Sequence, residues 1–437
     1  MSRDTKLCFV DVIEWAASQS WSTGKVGLLG IGYYAGSQWR VAARQPRGLA
    51  CMIPWEGMSD YYRDRCRHGG ILSNAFIGFW WNRQVIVNQY GRPGRAARNW
   101  GPATIEGTLS EEQLRANRHD QNVDNVKNKF LDDEHYASKD SNMQDIKVPL
   151  LSVGNWGGIL LHLRGNVEGF MNAGSQHKYL RFITGRHDLP FYTQEGVGMQ
   201  RSFLDAFLKD NDTAGWSTGK PPKVGFALRV GDVGYNDAEA EKAYPTRYEN
   251  SWPIPDTHSP FDETEFTGHI VAHLNVSVSA VDPNITPSDI DLFLTVRHLN
   301  PEGKEILYTG TVGDPVPVTK GWLRASLRKV NEDSPRHHAW HPHREYLSSD
   351  HAPLVPGEIY PVDVEIWPTN VVLQKSDRLV FEVSSGDTQS AGLFEHTSKE
   401  DHAEAILKGM NHIHFGEQHE NWLLMPLIPP RAAEPGK

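Results

Sequence analysis

The run Val26-Gly-Leu-Leu-Gly-Ile-Gly-Tyr-Tyr-Ala-Gly36 constrains the fold of this chain more than any other stretch. Val26 to Ile31 is short, apolar and bounded by glycines, which predicts a strand buried on both faces. Tyr34 to Arg44, stopped by Gln45-Pro46, predicts a helix immediately after it. With so little chain between the two, the backbone must turn sharply at Gly32. A turn of that kind holds its apex residue over the carboxyl edge of a parallel sheet, where ligands of α/β proteins bind.

The neighbouring text extends the pattern. Phe9, Val12, Ile13 and Ala16 recur at helical spacing, predicting an amphipathic helix over about residues 5–19 that Ser22-Thr-Gly24 ends. Leu49 to Ile53 predicts a second buried strand, closed by Pro54-Trp-Glu-Gly57. Residues 68–146 change to aromatic and charged helical text, including Ile77-Gly-Phe-Trp-Trp81 and Ser110-Glu-Glu-Gln-Leu114, and suggest a helical cap over the strand ends. The α/β alternation then resumes: a strand at Val148 to Val153, a helix near 162–174, a strand at Lys178 to Thr184. A long helix over about 194–209 follows, with Met199, Phe203, Phe207 and Leu208 on one face. After Gly219-Lys-Pro-Pro222 the period becomes two. Ile270, Ala272, Leu274, Val276 and Val278 alternate with His273, Asn275, Ser277 and Ser279, which predicts a β-sandwich or jelly roll. The expected domains are therefore an α/β core at 1–67 and 147–222, a cap at 68–146 and an all-β domain at 223–437.

Composition narrows the function classes. A chain of 437 residues with 39% hydrophobic content can bury a sizeable core, and its formal charge of -10 argues against nucleic acid as a partner. Three cysteines without ligand spacing suggest neither a disulfide framework nor a zinc site. The start of the chain has no continuous apolar segment of the secretory type, and no apolar run reaches the length a membrane span needs. The expectation is a cytoplasmic protein with no membrane partner, cofactor or metal. His337, His338, His341 and His343 could group around a metal, but their Pro-rich connection also reads as a loop packing the β domain on the core.

Asp11-Val-Ile-Glu-Trp15, Gln19-Ser-Trp21-Ser, Gly30-Ile-Gly-Tyr33 and Pro54-Trp-Glu-Gly57 resemble the cocaine esterase / X-prolyl dipeptidyl-peptidase family of serine hydrolases (CocE/NonD, peptidase S15-like). Trp322-Leu-Arg-Ala-Ser326, Pro353-Leu-Val-Pro-Gly357, Glu365-Ile-Trp-Pro368 and His414-Phe-Gly416 resemble its noncatalytic jelly-roll domain. The resemblance implies an α/β-hydrolase with a helical cap and a C-terminal jelly roll, cleaving a small-molecule or peptide ester, amide or peptide bond through an acyl-enzyme. In the family's Gly-x-Ser-Tyr elbow the serine falls on Gly32, so the nucleophile is missing. The backbone N–H of Tyr33 would serve the oxyanion, and His187 in Thr184-Gly-Arg-His-Asp188 takes the place of the general base. Relatives often carry the acid in a turn that here reads Gly154-Asn-Trp-Gly-Gly158, without a carboxylate. Glu56 is the first candidate instead, ahead of Asp60 and Glu168. Trp55, Trp80, Trp81, Trp100 and Trp156 are candidates for the walls of an acyl pocket, or ordinary core. The resemblance also implies about a hundred further residues ahead of the first helix, and so a sheet incomplete at its N-terminal side. Family jelly rolls often stabilise dimers, which makes a homodimer an expectation and leaves the oligomeric state open.

Three other readings of the elbow stand beside this one. Gly30-x-Gly32-x-x-Ala35, with Glu56 further on, also fits the turn of an NAD-dependent oxidoreductase. A noncatalytic protein that keeps the pocket for binding fits as well, as does a glycine placed at 32 only to satisfy a positive φ.

Overall fold

In the computed structural model, residues 3–85, 110–116, 119–229, 246–254, 263–388 and 393–430 are described. Helix α1 (Arg3–Ser18) precedes strand β1 (Val26–Ile31), helix α2 (Tyr33–Ala42) and strand β2 (Leu49–Trp55). Strand β3 (Leu150–Asn155), helix α3 (Leu163–Asn172), strand β4 (Lys178–Ile183) and helix α4 (Gln194–Leu208) continue the alternation. Between β2 and β3 lie short helical segments, among them Ala75–Trp80 and Gln121–Lys127, and a small hairpin at 67–72.

The first sheet has six strands in chain order, β1 to β4 followed by β5 (Val224–Phe226) and β6 (Arg247–Glu249). All pairings are parallel except β5 with β6. The sheet thus runs past the boundary expected at 222: the period-two region is entered only after two further strands have joined the core. Register aligns the carboxyl ends, Ile31 beside Trp55, Trp55 beside Val153 and Asn155 beside Ile183. Both faces are covered, as expected for parallel strands. Leu28, Met52 and Leu150 pack with Trp39 and Val41 of α2, while Ile53, Leu151, Val153 and Tyr179 pack with Phe203 of α4.

The C-terminal β domain is built on strands β7 (Thr264–Ala280), β8 (Asp291–Leu299), β9 (Thr319–Arg324), β10 (Tyr360–Leu373), β11 (Arg378–Ser384) and β12 (Gly409–Ile413). Their pairings are antiparallel. The alternation along β7 does not mark a solvent face at Asn275 and Ser277, which are buried. His414 meets Ser277 Oγ at 2.7 Å, and Asn421 accepts the Asn275 N–H at 2.8 Å, so the chain's last strands cover these polar positions.

The β domain and the core share one continuous apolar cluster, from Trp156 and Phe182 through Trp252 to Ile270 and Trp367. Buried charges cross the same boundary. Arg164 on α3 binds Asp64 at 3.0 Å and Glu365 of β10 at 2.7 Å, and His341 lies 3.5 Å from Glu168 and 3.4 Å from Glu365. His341 is thereby engaged in the domain boundary, and among the described residues no group of three or more His, Cys, Asp or Glu is placed to hold a metal. No described helix is long and apolar enough to cross a membrane.

The hairpin at 67–72 docks through Asp401. Its carboxylate meets Arg67 at 2.8 Å and Arg324 at 3.0 Å and accepts the Leu72 N–H at 3.0 Å, all nearly out of contact with water. Burial alone would raise the pKa of Asp401, but the two guanidinium groups hold it well below the carboxylate range. Removing one partner of a buried ion network strands the others, a loss of about 3–5 kcal/mol. Asp401→Ala should therefore lower the urea midpoint by the equivalent of about 3–5 kcal/mol at neutral pH. Because the folded pKa lies below the unfolded one, this contribution is complete above the ordinary Asp value and fades as pH falls. The gap between parent and variant should accordingly narrow in acid, and a gap that widened there would contradict the assignment.

Candidate active site

The site forms at the carboxyl edge of the sheet, from the ends of β1, β2 and β4, with β3 between the last two. Gly32 has φ 64° and ψ -119°, a conformation that only glycine adopts without strain. Its N–H donates to Trp55 O at 3.1 Å, which locks the bend to the end of β2. A β-carbon on Gly32 would stand 2.8 Å from His187 Nε2 and 4.0 Å from His162 Nε2. The imidazole of His187 thus occupies space that a side chain at 32 would need.

Glu56, one residue past β2, is fully buried and carries a positive φ of 45°. Such strain in a non-glycine residue persists only where the surroundings hold it, and it recurs at functional sites. The Glu56 N–H donates to Val153 O at 2.6 Å, and the carboxylate accepts at both oxygens: His187 Nδ1–H at 2.9 Å on Oε2, and Asn155 Nδ2–H at 3.2 Å on Oε1. Asn155 also donates to Gly185 O at 2.7 Å and accepts the Gly157 N–H at 2.9 Å. It ties the acid, the loop bearing His187 and the turn after β3 into one unit. The β domain completes the frame: Thr311 O accepts the His187 N–H at 3.0 Å, and Gly157 lies so close to Thr309 that a β-carbon there would be 1.8 Å from its carbonyl oxygen.

With Nδ1–H given to Glu56, the lone pair of His187 is on Nε2, facing Gly32. A quarter of the His187 side chain remains exposed. Burial pulls its pKa down, but the charge and hydrogen bond of Glu56 more than offset this and hold it above the ordinary histidine value. His162 stacks on the same ring, centroids 5.0 Å apart. Its Nδ1 accepts the Met58 N–H at 3.2 Å, which puts the ring proton on Nε2, facing the notch where Gly32, His162 and His187 meet. Burial first, then His187 and Arg65, push its pKa well below the ordinary value, so His162 is a neutral donor. The N–H of Tyr33 belongs to the first turn of α2, whose amides have no acceptor within the helix. Together these groups can accept a proton at His187 Nε2 and offer hydrogen bonds to a developing oxyanion.

Of the residues singled out from the sequence, Gly32, Tyr33, Glu56 and His187 are brought together. Asp60 is not: it caps the turn Tyr61–Cys66 and pairs with Arg63. Glu168 faces His341 at the domain boundary. Trp156 is fully buried, stacked on Phe182 at 3.9 Å with its indole N–H on Ala227 O, and Trp55 is core material against Phe191. The surface of both is spent on packing instead of lining a pocket. Trp80 packs toward the β domain, stacked on Phe76, which itself stacks on Phe394 at 4.7 Å, and Trp81 is buried. Trp100 lies outside the described residues. His162 and Asn155 went unread in the sequence. A lone histidine in the apolar run Gly158-Ile-Leu-Leu-His162-Leu was the available signal for the first, and the amide standing where a carboxylate was sought was the signal for the second.

Comparison with known proteins agrees with this architecture. Residues 2–188 match the X-Pro dipeptidyl-peptidase (S15 family) domain, and residues 256–424 match the X-Pro dipeptidyl-peptidase C-terminal non-catalytic domain. Cocaine esterase from a Rhodococcus species is 22% identical over 96% of this chain and 83% of its own length. A protein named as a serine esterase in Mycobacterium tuberculosis is 29% identical over 36% of this chain, and the match spans only 21% of that relative's length. Among solved structures, a CocE/NonD family hydrolase from Staphylococcus aureus superposes with a TM-score of 0.78 at 25% identity, over 98% of this chain and 76% of its own. An α-amino acid ester hydrolase shares the fold, with a TM-score of 0.61 at 13% identity.

The opposed effects on the two imidazoles can be measured. His187 should titrate by NMR with a midpoint above about 6.5, the ordinary histidine value, and His162 should stay neutral throughout the range in which the protein is folded. Glu56→Gln removes the larger of the two charges that oppose burial and leaves only Asp188, so the His187 midpoint should fall. The stabilisation from the His187–Glu56 pair is full below the unfolded pKa and is lost as pH rises through the folded one. Parent and Glu56→Gln should therefore converge in stability at alkaline pH.

Proposed function

We propose, starting from a chain that belongs to the cocaine esterase / X-prolyl dipeptidyl-peptidase family of hydrolases (CocE/NonD, S15-like), that its site is an acyl-transfer site equipped with base, acid and oxyanion donors but without a nucleophile. The observation that carries this reading is the proximity of position 32 to His187: a β-carbon there lies 2.8 Å from the basic nitrogen. A serine hydroxyl on that carbon would pass its proton to His187 Nε2 as its oxygen attacks the substrate carbonyl. Glu56 would stabilise the imidazolium, and the Tyr33 N–H and His162 Nε2–H would receive the oxyanion. The proton would then move from His187 to the leaving group as the acyl-enzyme forms, and water would repeat the cycle in reverse roles. The substrate class is an ester, amide or peptide bond.

With glycine at 32 there is no oxygen to acylate. Hydrolysis is left to water attacking directly, its proton taken by His187, and loss of the nucleophile from such a triad costs about 10⁶ in turnover. The same glycine favours a second reading, a protein that retains the pocket and binds acyl compounds without turning them over.

Parent protein should show no turnover of p-nitrophenyl esters above background and no labelling by a fluorophosphonate. Gly32→Ser should be labelled, with His187 yielding by a few tenths of an ångström, and Gly32→Ser/His187→Ala should not. Its labelling rate should rise with pH through the raised midpoint of His187, because only the neutral imidazole accepts the proton. Equal labelling of parent and Gly32→Ser, or none in a folded Gly32→Ser protein, overturns the assignment of position 32. Saturable binding of an ester by the unlabelled parent would favour the second reading.

A further inference from the structure

Three cations converge on one phenol. The guanidinium carbons of Arg40 and Arg65 and the ammonium of Lys139 each stand 5.2 Å from the centre of the Tyr61 ring. Arg40 comes from α2, Arg65 from the turn Tyr61–Cys66, and Lys139 from the segment ahead of β3. Arg40 is 4% exposed and Arg65 6%. Among the described residues none of the three forms an ion pair. The carboxylates around them are committed elsewhere, Asp60 to Arg63 and Asp124 to His119 and His135. Arg65 donates to the neutral Tyr61 hydroxyl at 3.0 Å and to Gln121 Oε1 at 3.3 Å, and Lys139 donates to His135 O. Arg40 Nε and Gln121 Nε2 are buried and have no partner.

Two buried guanidinium groups and a half-buried ammonium without a counter-charge among the described residues are costly, since desolvation and mutual repulsion act together. The strain is visible in their proton affinities: burial above all lowers Arg40, with Arg65 adding to it, and burial, joined by Arg40, lowers Lys139 to about 8. Unsatisfied buried groups in a native fold call for an explanation, and a bound anion supplies one. Planar guanidinium forks match a carboxylate, and Gln121 Nε2 and Arg40 Nε provide free donors. The cluster is within electrostatic reach of the notch. Arg65 acts electrostatically on His162, whose Nε2 is 4.0 Å from the β-carbon position at 32, and Arg40 is within electrostatic reach of Tyr33.

We propose that Arg40, Arg65 and Lys139, gathered around Tyr61, form an anion site that holds a free carboxylate on the acyl compound, so that the ligand of this pocket is an anionic hemiester-like molecule. The link to an acyl compound rests on the reading of the notch given above; the anion site itself does not. An ammonium group on the ligand would be repelled here.

Calorimetric titration of the full chain with monomethyl succinate, dimethyl succinate, acetate and sulfate tests this. Monomethyl succinate should bind about tenfold or more tighter than the neutral diester and than either free anion. Arg65→Met and Arg40→Met should each weaken it about tenfold, and Arg65→Lys should retain part of the affinity. Because each Met variant also removes an uncompensated charge, its melting temperature should hold or rise; should either fail to fold, the half-buried Lys139→Met supplies the same two readouts. No binding of any anion by the folded parent, or equal affinity for the hemiester and the diester, overturns the proposal. Acetate and sulfate binding as tightly as the hemiester would mean an adventitious ion only, and overturns it too. Hemiester binding that persists while Gly32→Ser remains unlabelled would leave the anion site standing and sink only the reading of position 32.

Discussion

The hydrogen bond between His187 and Glu56 closes the site, and everything around it is arranged to keep those two groups in register. Glu56 is one residue beyond β2 and His187 four beyond β4, on strands separated by β3. Only the parallel sheet brings their loops to the same edge. Asn155 at the end of the intervening strand bridges them, with one N–H on the Glu56 carboxylate and another on the Gly185 carbonyl. A carboxylate at 155 would repel Glu56, whereas an amide offers donors to it. The absence of an acid in the turn after β3 and the presence of one after β2 are thus two sides of a single electrostatic choice.

Much of this was legible in the sequence because its signals are local. The apolar run Val26 to Ile31, the breakers Gln45-Pro46 and the glycine at 32 each act within a few residues, and the strand, helix and bend fall where they indicate. Glu56 and His187 could be singled out because both follow strands of a parallel sheet. What was not legible depends on partners distant in sequence. Asn275 and Ser277 alternate with apolar neighbours as a solvent face would, but His414 and Asn421, more than a hundred residues later, cover them. Strands β5 and β6 are too short to carry a periodicity; β5 joins the first sheet by pairing with β4, and β6 by pairing with β5. His162 reads as one polar residue in an apolar run, and its relation to His187 exists only once α3 is packed beneath the notch.

The tryptophans make the complementary point. Trp156 is a candidate pocket wall or ordinary core on sequence alone, but a ring that large gains most by full burial, and it stacks on Phe182 with its N–H satisfied by Ala227. The polar groups are left to surround position 32. Around the notch these are two histidines, a glutamate, an asparagine and, one layer out, the cations that surround Tyr61.

Two stacked imidazoles in one buried site cannot both be protonated without repelling each other, and the surroundings decide which one is. Glu56 faces only His187 and raises its affinity for a proton. His162 has no carboxylate, receives a backbone N–H at Nδ1 and feels Arg65, so each influence drives its proton affinity down. A neutral His162 presents a fixed Nε2–H to the notch while His187 is free to cycle between charged and neutral. An anion bound among Arg40, Arg65 and Lys139 would weaken the pull of Arg65 on His162 and partly neutralise the positive field near His187. By that coupling, occupancy of the outer site raises the proton affinity of the base. On this proposal the charge that would recognise a carboxylate and the charge that acts on His162 are the same, and among the described residues these cations form no ion pair of their own.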